Sequence, residues 1–154
     1  MRKRVILSTL ILLVAILISA CGTPRKVRLY NGSPDIRNEI IQTAVSLHGS
    51  PYRSGSKGPD SFDCSGFVYY VYKKSGITLP VSTDRLIVEG REVSRDWVQP
   101  GDLVFFKINR ELHVGIMVNR KEFIHASKSR GIAVDDLDAN YWKRNFHSFR
   151  TVFG

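Results

Sequence analysis

Residues 62–76 have the sequence FDCSGFVYYVYKKSG, which has the pattern of one amphipathic helix. Counted from Cys64, apolar residues recur at the third, fourth, seventh and eighth following positions, and Gly76 is suited to end the helix. Asp63 is a suitable N-cap, so Cys64 is predicted to lie in the first turn. The free N–H groups and positive dipole end of that turn favour a thiolate, which predicts a nucleophilic cysteine. The alternative is a small apolar residue packed in the core.

The N-terminal segment has the features of a secretory signal peptide over residues 1–20. Arg2-Lys3-Arg4 form a positive region, residues 5–18 form an apolar run, and small residues precede Cys21. An uncleaved membrane anchor is the alternative. The rest of the 154-residue chain has room for one domain, which we place at residues 33–154.

Ile18-Ser19-Ala20-Cys21 resemble the lipobox of bacterial lipoproteins. The resemblance implies that Cys21 is lipidated and becomes the mature N-terminus, with residues 21–32 forming a flexible tether to a membrane surface. Cys64 would then be the one remaining thiol, because the chain contains 2 cysteines. A Cys21–Cys64 disulfide is the competing interpretation.

The chain is basic, with a formal charge of +9 that falls to +6 once Arg2, Lys3 and Arg4 are removed. Such a charge suits an anionic surface, such as lipid headgroups or a carboxylate-bearing wall polymer. For an exported protein we expect no nucleic-acid partner. Solubility alone would explain the charge equally well.

The domain is expected to be α+β, with its helices first and its strands afterwards. Ser33-Pro34-Asp35 predict the start of a helix that ends at Gly49, and Ser82 can cap a short helix after the Cys64 helix. A loop over 49–61 carries Tyr52 and is expected to line a substrate cleft. The second half predicts an antiparallel meander packed on the helices, with strands over 103–106, 112–118, 122–126, 131–134 and 148–153, and a helical turn over 141–145.

His113 and His125 lie within two of these predicted strands. If the strands form a hairpin, alternation allows both imidazoles to face the helix that carries Cys64. A single histidine on an apolar strand is more often a hydrogen-bonded core residue, but two with a helix-start cysteine favour catalysis. A Cys-His-His zinc site is the alternative; because no second closely spaced ligand pair exists, we predict no metal.

These residues suit acyl transfer by a thiol. Cys64 would attack a carbonyl, and His113 would take its proton and later protonate the leaving amine. His125 would hold His113 in the right tautomer. Backbone N–H groups at the helix start, including that of Cys64, would stabilise the oxyanion, and the Tyr52 hydroxyl could add to them.

From about residue 35 to 154 the sequence resembles the NlpC-type peptidoglycan endopeptidases, papain-like cysteine peptidases of bacterial cell walls. The resemblance rests on Pro51-Tyr52-Arg53, Asp63-Cys64-Ser65-Gly66-Phe67, Leu79-Pro80 with Ser82-Thr83, 100–106, His113-Val114-Gly115-Ile116 and 123–127. It implies a papain-like fold without metal or organic cofactor. It also implies Cys64 as nucleophile, His113 as base and His125 as third polar residue.

Three further residues match family positions and are expected to bind substrate: Tyr52 matches the family tyrosine beside the nucleophile, and Asp63 and Ser65 match residues on the substrate side of the cleft. A simple N-cap would equally explain Asp63. The substrate implied by the resemblance is the stem peptide of peptidoglycan or the cross-link between stems. We therefore expect a monomeric, lipid-anchored peptidase of the bacterial cell envelope, on the periplasmic side of the outer membrane. The alternatives are a thiol amidase or acyltransferase using the same triad, and an inactive peptidoglycan-binding lipoprotein.

Overall fold

The computed structural model describes residues 29–154, and the predicted signal peptide and Cys21 lie outside this part. The helices are α1 (Pro34–Ser46), α2 (Cys64–Lys74), α3 (Thr83–Leu86) and α4 (Asn140–Asn145). The strands are β1 (Arg91–Val93), β2 (Leu103–Ile108), β3 (Glu111–Met117), β4 (Glu122–Ser127), β5 (Gly131–Asp136) and β6 (Phe146–Thr151). Among these residues, no helix is long and apolar enough to cross a bilayer.

The helices begin where their sequence signals predict. The Ser33 hydroxyl accepts a hydrogen bond from the Ile36 N–H at the start of α1. The Asp63 carboxylate accepts a hydrogen bond from the Gly66 N–H at the start of α2. At the other end, Gly76 follows the helix with a φ of 75°, the left-handed conformation typical of a helix end. Ser82 precedes α3, but its side chain makes no capping hydrogen bond.

The six strands form one antiparallel sheet in the order β1-β6-β2-β3-β4-β5. The predicted α+β class and the meander from β2 to β5 are therefore confirmed. Asn109 and Arg110 join β2 to β3 with φ values of 49° and 72°, the left-handed conformation that two-residue hairpin turns require. The prediction missed β1, a three-residue edge strand with too little periodicity to recognise.

The sheet has two differently covered faces. Val114, Ile116 and Ile124 belong to the main core with Phe67 and Val71 of α2. The opposite face carries a second apolar cluster that includes Val104, Phe106, Met117, Phe123 and Phe149, against which Trp142 of α4 packs.

The prediction that both imidazoles face α2 is wrong. His113 and His125 alternate with Val114 and Ile124, which pack toward α2, so the two histidines lie on the other face. Their rings contact Trp142 there, with centroid distances of 5.8 Å for His113 and 4.9 Å for His125. Strand alternation correctly grouped the two histidines but could not tell which face the helices would cover.

The packing of the domain also includes residues before 33. The Tyr30 N–H donates to the Val152 carbonyl at 2.8 Å, and the Gly154 N–H donates to the Tyr30 carbonyl at 2.9 Å. The Tyr30 hydroxyl also donates to the Thr78 carbonyl at 3.1 Å. Residues 30–32, which the sequence assigns to a flexible tether, therefore pack against the C-terminal segment.

The loop before α2 approaches the helix so closely that only glycine fits at position 66. A Cβ at Gly66 would lie 2.1 Å from the Ser56 carbonyl oxygen and 2.9 Å from Asp63 Oδ1. The Ser56 carbonyl is held in place because it accepts a hydrogen bond of 2.9 Å from the Asp63 N–H. The loop and the first turn of α2 thus form one unit that fixes the position of Cys64.

We predict that Gly66→Ala lowers the free energy of unfolding by about 3 kcal/mol, because the added methyl group overlaps rigid backbone. Gly49→Ala is the matched control: Gly49 has a φ of +82° but nothing within 4 Å of its Cβ position. That control should cost about 1 kcal/mol through backbone strain alone. Urea denaturation of both variants measures the difference, and equal losses would contradict the steric account.

Candidate active site

The first turn of α2 is held by the Asp63 carboxylate. Its Oδ1 accepts from the Gly66 N–H at 2.6 Å and its Oδ2 accepts from the Gly55 N–H at 2.9 Å. The neighbouring Ser65 is buried, and its hydroxyl donates to the Val81 carbonyl at 3.0 Å. Both side chains thus stabilise the start of the helix, and neither is among the residues that line the cleft described below.

Cys64 carries a free thiol at the first position of α2, with its Sγ 3.7 Å from the Thr83 hydroxyl. Burial raises the pKa of this thiol, and the Asp63 carboxylate raises it further. The Thr83 hydroxyl and the N–H groups of Val114 and Ser65 lower the pKa but do not outweigh burial. The net effect on the thiol is thus a raised pKa, the opposite of the lowered pKa that the helix start alone predicts.

The two predicted histidines are directly hydrogen-bonded. His113 Nε2 lies 2.8 Å from His125 Nδ1, and the rings meet edge to face. His125 Nε2 in turn lies 2.8 Å from Asp135 Oδ2, which also accepts from Arg130. The pairing of β3 with β4 places Gly115 opposite His125, and the pairing of β4 with β5 places Asp135 opposite Phe123. A continuous hydrogen-bond network thus links His113, His125, Asp135 and Arg130.

Both imidazoles are held neutral. The pKa of His113 is lowered to about 3, chiefly by burial and also by the neighbouring His125 and Lys128, against an opposing effect of Asp135. Burial also lowers the pKa of His125, although its hydrogen bond to Asp135 acts in the other direction. A neutral imidazole has one nitrogen that can accept a proton, which is the property that a general base needs.

Cys64, His113 and His125 line one cleft with a volume of about 710 Å³, a size suited to a small ligand or a peptide segment. Tyr52 lies on the same cleft, as predicted, and burial with the nearby Cys64 and Asp63 raises the pKa of its phenol. Trp142 stacks on the His113 ring at an interplanar angle of 24° and shields the histidines from solvent.

Sequence reasoning missed Asp135, Thr83 and Trp142. Asp135 lies two residues after Ala133, the partner of His125 in β5, so strand alternation puts it on the histidine face. The predicted strand ends at Val134, so Asp135 lies just outside it. Trp142 falls within the predicted helical turn, but nothing local indicates that this turn covers the histidines.

Within residues 29–154, no three His, Cys, Asp or Glu side chains are grouped as they would be to hold a metal ion. Both ring nitrogens of His125 are engaged by protein groups, namely His113 and Asp135.

A protein-family model described as the NlpC/P60 family matches residues 49–151, which contain all of these side chains. The chain belongs to the NlpC/P60 family. The family domain thus covers the loop with Tyr52, the helix with Cys64 and the strands with both histidines.

Two curated proteins from Escherichia coli K12 are similar to the chain. The probable endopeptidase NlpC is 37% identical over 153 residues, which cover 93% of this chain and 97% of that protein. The murein DD-endopeptidase and LD-carboxypeptidase MepS is 34% identical over 120 residues, which cover 77% of this chain and 64% of MepS.

The fold is also that of solved NlpC/P60 structures. A Staphylococcus aureus protein described as similar to lipoprotein, NLP/P60 family, superposes with a TM-score of 0.73 at 30% identity. The superposition covers 90% of this chain but 48% of the other. The predicted papain-like NlpC fold of helices on an antiparallel sheet is confirmed.

Proposed function

We propose that this chain is a cysteine peptidase that hydrolyses peptide bonds in peptidoglycan, without a metal or organic cofactor. The observation that carries the proposal is the convergence of a helix-start thiol and a hydrogen-bonded pair of neutral histidines on one cleft. The family supports the same conclusion, because the similar NlpC is named a probable endopeptidase and MepS a murein endopeptidase.

In the proposed reaction, Cys64 Sγ attacks the carbonyl carbon of the scissile peptide bond. His113 Nε2 is engaged by His125, so Nδ1 is the nitrogen of His113 that can take the thiol proton. The resting thiol is protonated, and the thiolate forms as the proton moves to His113. The same imidazolium then protonates the leaving amine, and water hydrolyses the thioester with His113 as base again.

The negative charge on the attacked carbonyl oxygen needs donors close to Cys64. The Cys64 N–H lies in the first turn of α2, where helix geometry provides no intrahelical acceptor. This N–H and the positive end of the helix dipole are suited to stabilise the oxyanion. The Tyr52 hydroxyl on the same cleft is the predicted second donor.

Substrate contacts of Asp63 and Ser65 stay a prediction. Their polar atoms bond to the protein itself, so any effect on substrate would pass through the position of the α2 start. The bond cleaved in the stem peptide or cross-link is determined by the rest of the cleft, where Lys128, Arg130 and Tyr141 also line the wall.

We also propose that the chain is exported and lipid-anchored in the bacterial cell envelope, on the periplasmic side of the outer membrane, as a monomer. Residues 1–20 would be the signal peptide, Cys21 the lipidated N-terminus, and the tether would end before Tyr30, where the packed domain begins. The lipobox resemblance supports this arrangement, and the similar S. aureus protein is itself described as similar to a lipoprotein.

We predict that cells expressing the full chain incorporate labelled palmitate into it, and that Cys21→Ser abolishes the label, because the thioether and its acyl chains need the Cys21 sulfur. Cys64→Ser is the matched control and should keep the label. Labelling of Cys21→Ser equal to wild type would contradict the lipidation proposal.

We predict that Cys64→Ala and His113→Gln each reduce the release of fragments from purified peptidoglycan by about 1000-fold or more, since each removes a member of one catalytic unit. Mass spectrometry of the soluble products measures the rate and identifies the cleaved bond. His147→Gln is the control: His147 is exposed on β6, does not line the cleft, and should retain activity within about twofold.

Fragment release by Cys64→Ala at the wild-type rate would contradict the proposed nucleophile. Products joined to an added amine, with no hydrolysis in its absence, would identify an acyltransferase instead. Binding to peptidoglycan without any Cys64-dependent product would support the inactive wall-binding alternative.

A further inference from the structure

Asp135 makes contacts that no part of the proposed triad accounts for. Its side chain is 18% exposed, and its Oδ2 lies 2.8 Å from His125 Nε2 and 2.5 Å from Arg130 Nη2. A partly buried carboxylate that shares one oxygen between a histidine and an arginine is tightly constrained. The side chain also lines the cleft that holds Cys64 and His113.

The ionised state of Asp135 decides which atoms carry protons. Burial by itself raises the pKa of this carboxyl, but hydrogen bonds from Arg130 and His125 outweigh it, so the net effect is a lowered pKa. An ionised carboxylate only accepts hydrogen bonds, so His125 Nε2 must be the donor in the contact with Asp135. His125 is neutral and has one N–H, which leaves its Nδ1 as an acceptor.

The same argument continues to His113. Because His125 Nδ1 accepts, His113 Nε2 must donate across the 2.8 Å contact between them. Neutral His113 then has no proton on Nδ1. That nitrogen is the one left to accept the proton of Cys64.

We propose that Asp135, held by Arg130, is a positioning residue that fixes the tautomers of both histidines and so keeps Nδ1 of His113 free to act as the base. This inference rests on the proposed peptidase function. Asp135 does not touch the reacting atoms and acts through His125.

Arg130 has a supporting part in this arrangement. It is 52% exposed in its side chain, so its ion pair with Asp135 is partly screened by solvent. Its contact with the same oxygen limits rotation of the carboxylate away from His125. Loss of Arg130 should therefore have a smaller effect than loss of Asp135.

The first test reads the tautomers directly. Nitrogen-15 NMR of the histidine-labelled full-length chain resolves protonated from unprotonated ring nitrogens, and the chain has only 4 histidines to assign. We expect His113 to be unprotonated at Nδ1 in the wild type and to show both tautomers in Asp135→Ala. Asp135→Asn, whose amide oxygen can still accept from His125, should keep more of the wild-type tautomer. Asp136→Ala is the matched control, because Asp136 is the exposed neighbour whose carboxylate caps the Asp138 N–H and touches neither histidine.

The second test reads activity on peptidoglycan. We expect kcat to fall by about 100-fold in Asp135→Ala, with KM within about twofold, because a wrong tautomer lowers the active fraction and not substrate binding. Asp135→Asn should lose less, and Asp136→Ala should match the wild type.

Either of two results would overturn the inference: unchanged His113 tautomers in both Asp135 variants, or changed tautomers with unchanged kcat. Failure of the peptidase proposal itself would look different, because the wild type would then release no fragments while the NMR test still reports the tautomers.

Discussion

The charge state of the candidate site depends on the burial of its thiol and two imidazoles. A buried ionisable group is stable when it is neutral or paired, since transfer of an isolated charge out of water is costly. Burial lowers the pKa of His113 to about 3 and raises that of Cys64. The resting site therefore holds a neutral thiol and a neutral imidazole. Catalysis through this site would generate the charged pair only when a substrate is present to react with it.

Both faces of β3 contribute to the site. On β3, Val114 packs toward α2 and offers its N–H to the Cys64 thiol, while the adjacent His113 lies on the other face beside Trp142. The Asp63 carboxylate fixes the first turn of α2 and the loop before it, so the thiol has a defined position relative to the strand. Thus α2 positions the thiol, β3 carries the base His113, and Trp142 shields the histidines from solvent.

Sequence reasoning succeeded where the determining interactions are local. The cap at Asp63, the stop at Gly76 and the alternation around His113 depend on residues within a few positions, so the helix and the histidine strands were predictable. The face covered by the helices, the partnership of Asp135 with His125 and the protonated state of Cys64 depend on tertiary packing. The sequence predicts that Cys64 lies at a helix start, where the dipole lowers the pKa of a thiol. It does not predict the burial that raises this pKa, because the burial arises only when β3 and α3 pack beside Cys64 in the folded protein.

The central claim, a neutral thiol and imidazole at rest, is tested most directly by the pH dependence of Cys64 alkylation. Only the thiolate reacts with iodoacetamide, and peptide mass spectrometry separates Cys64 from Cys21 in the full-length chain. Since the pKa of Cys64 is raised above the ordinary value of 9.0, the rate should stay low at neutral pH and rise in one step above pH 9.0. Rapid alkylation that is constant from about pH 5 to about pH 8 would reveal a resting thiolate–imidazolium pair and contradict the account.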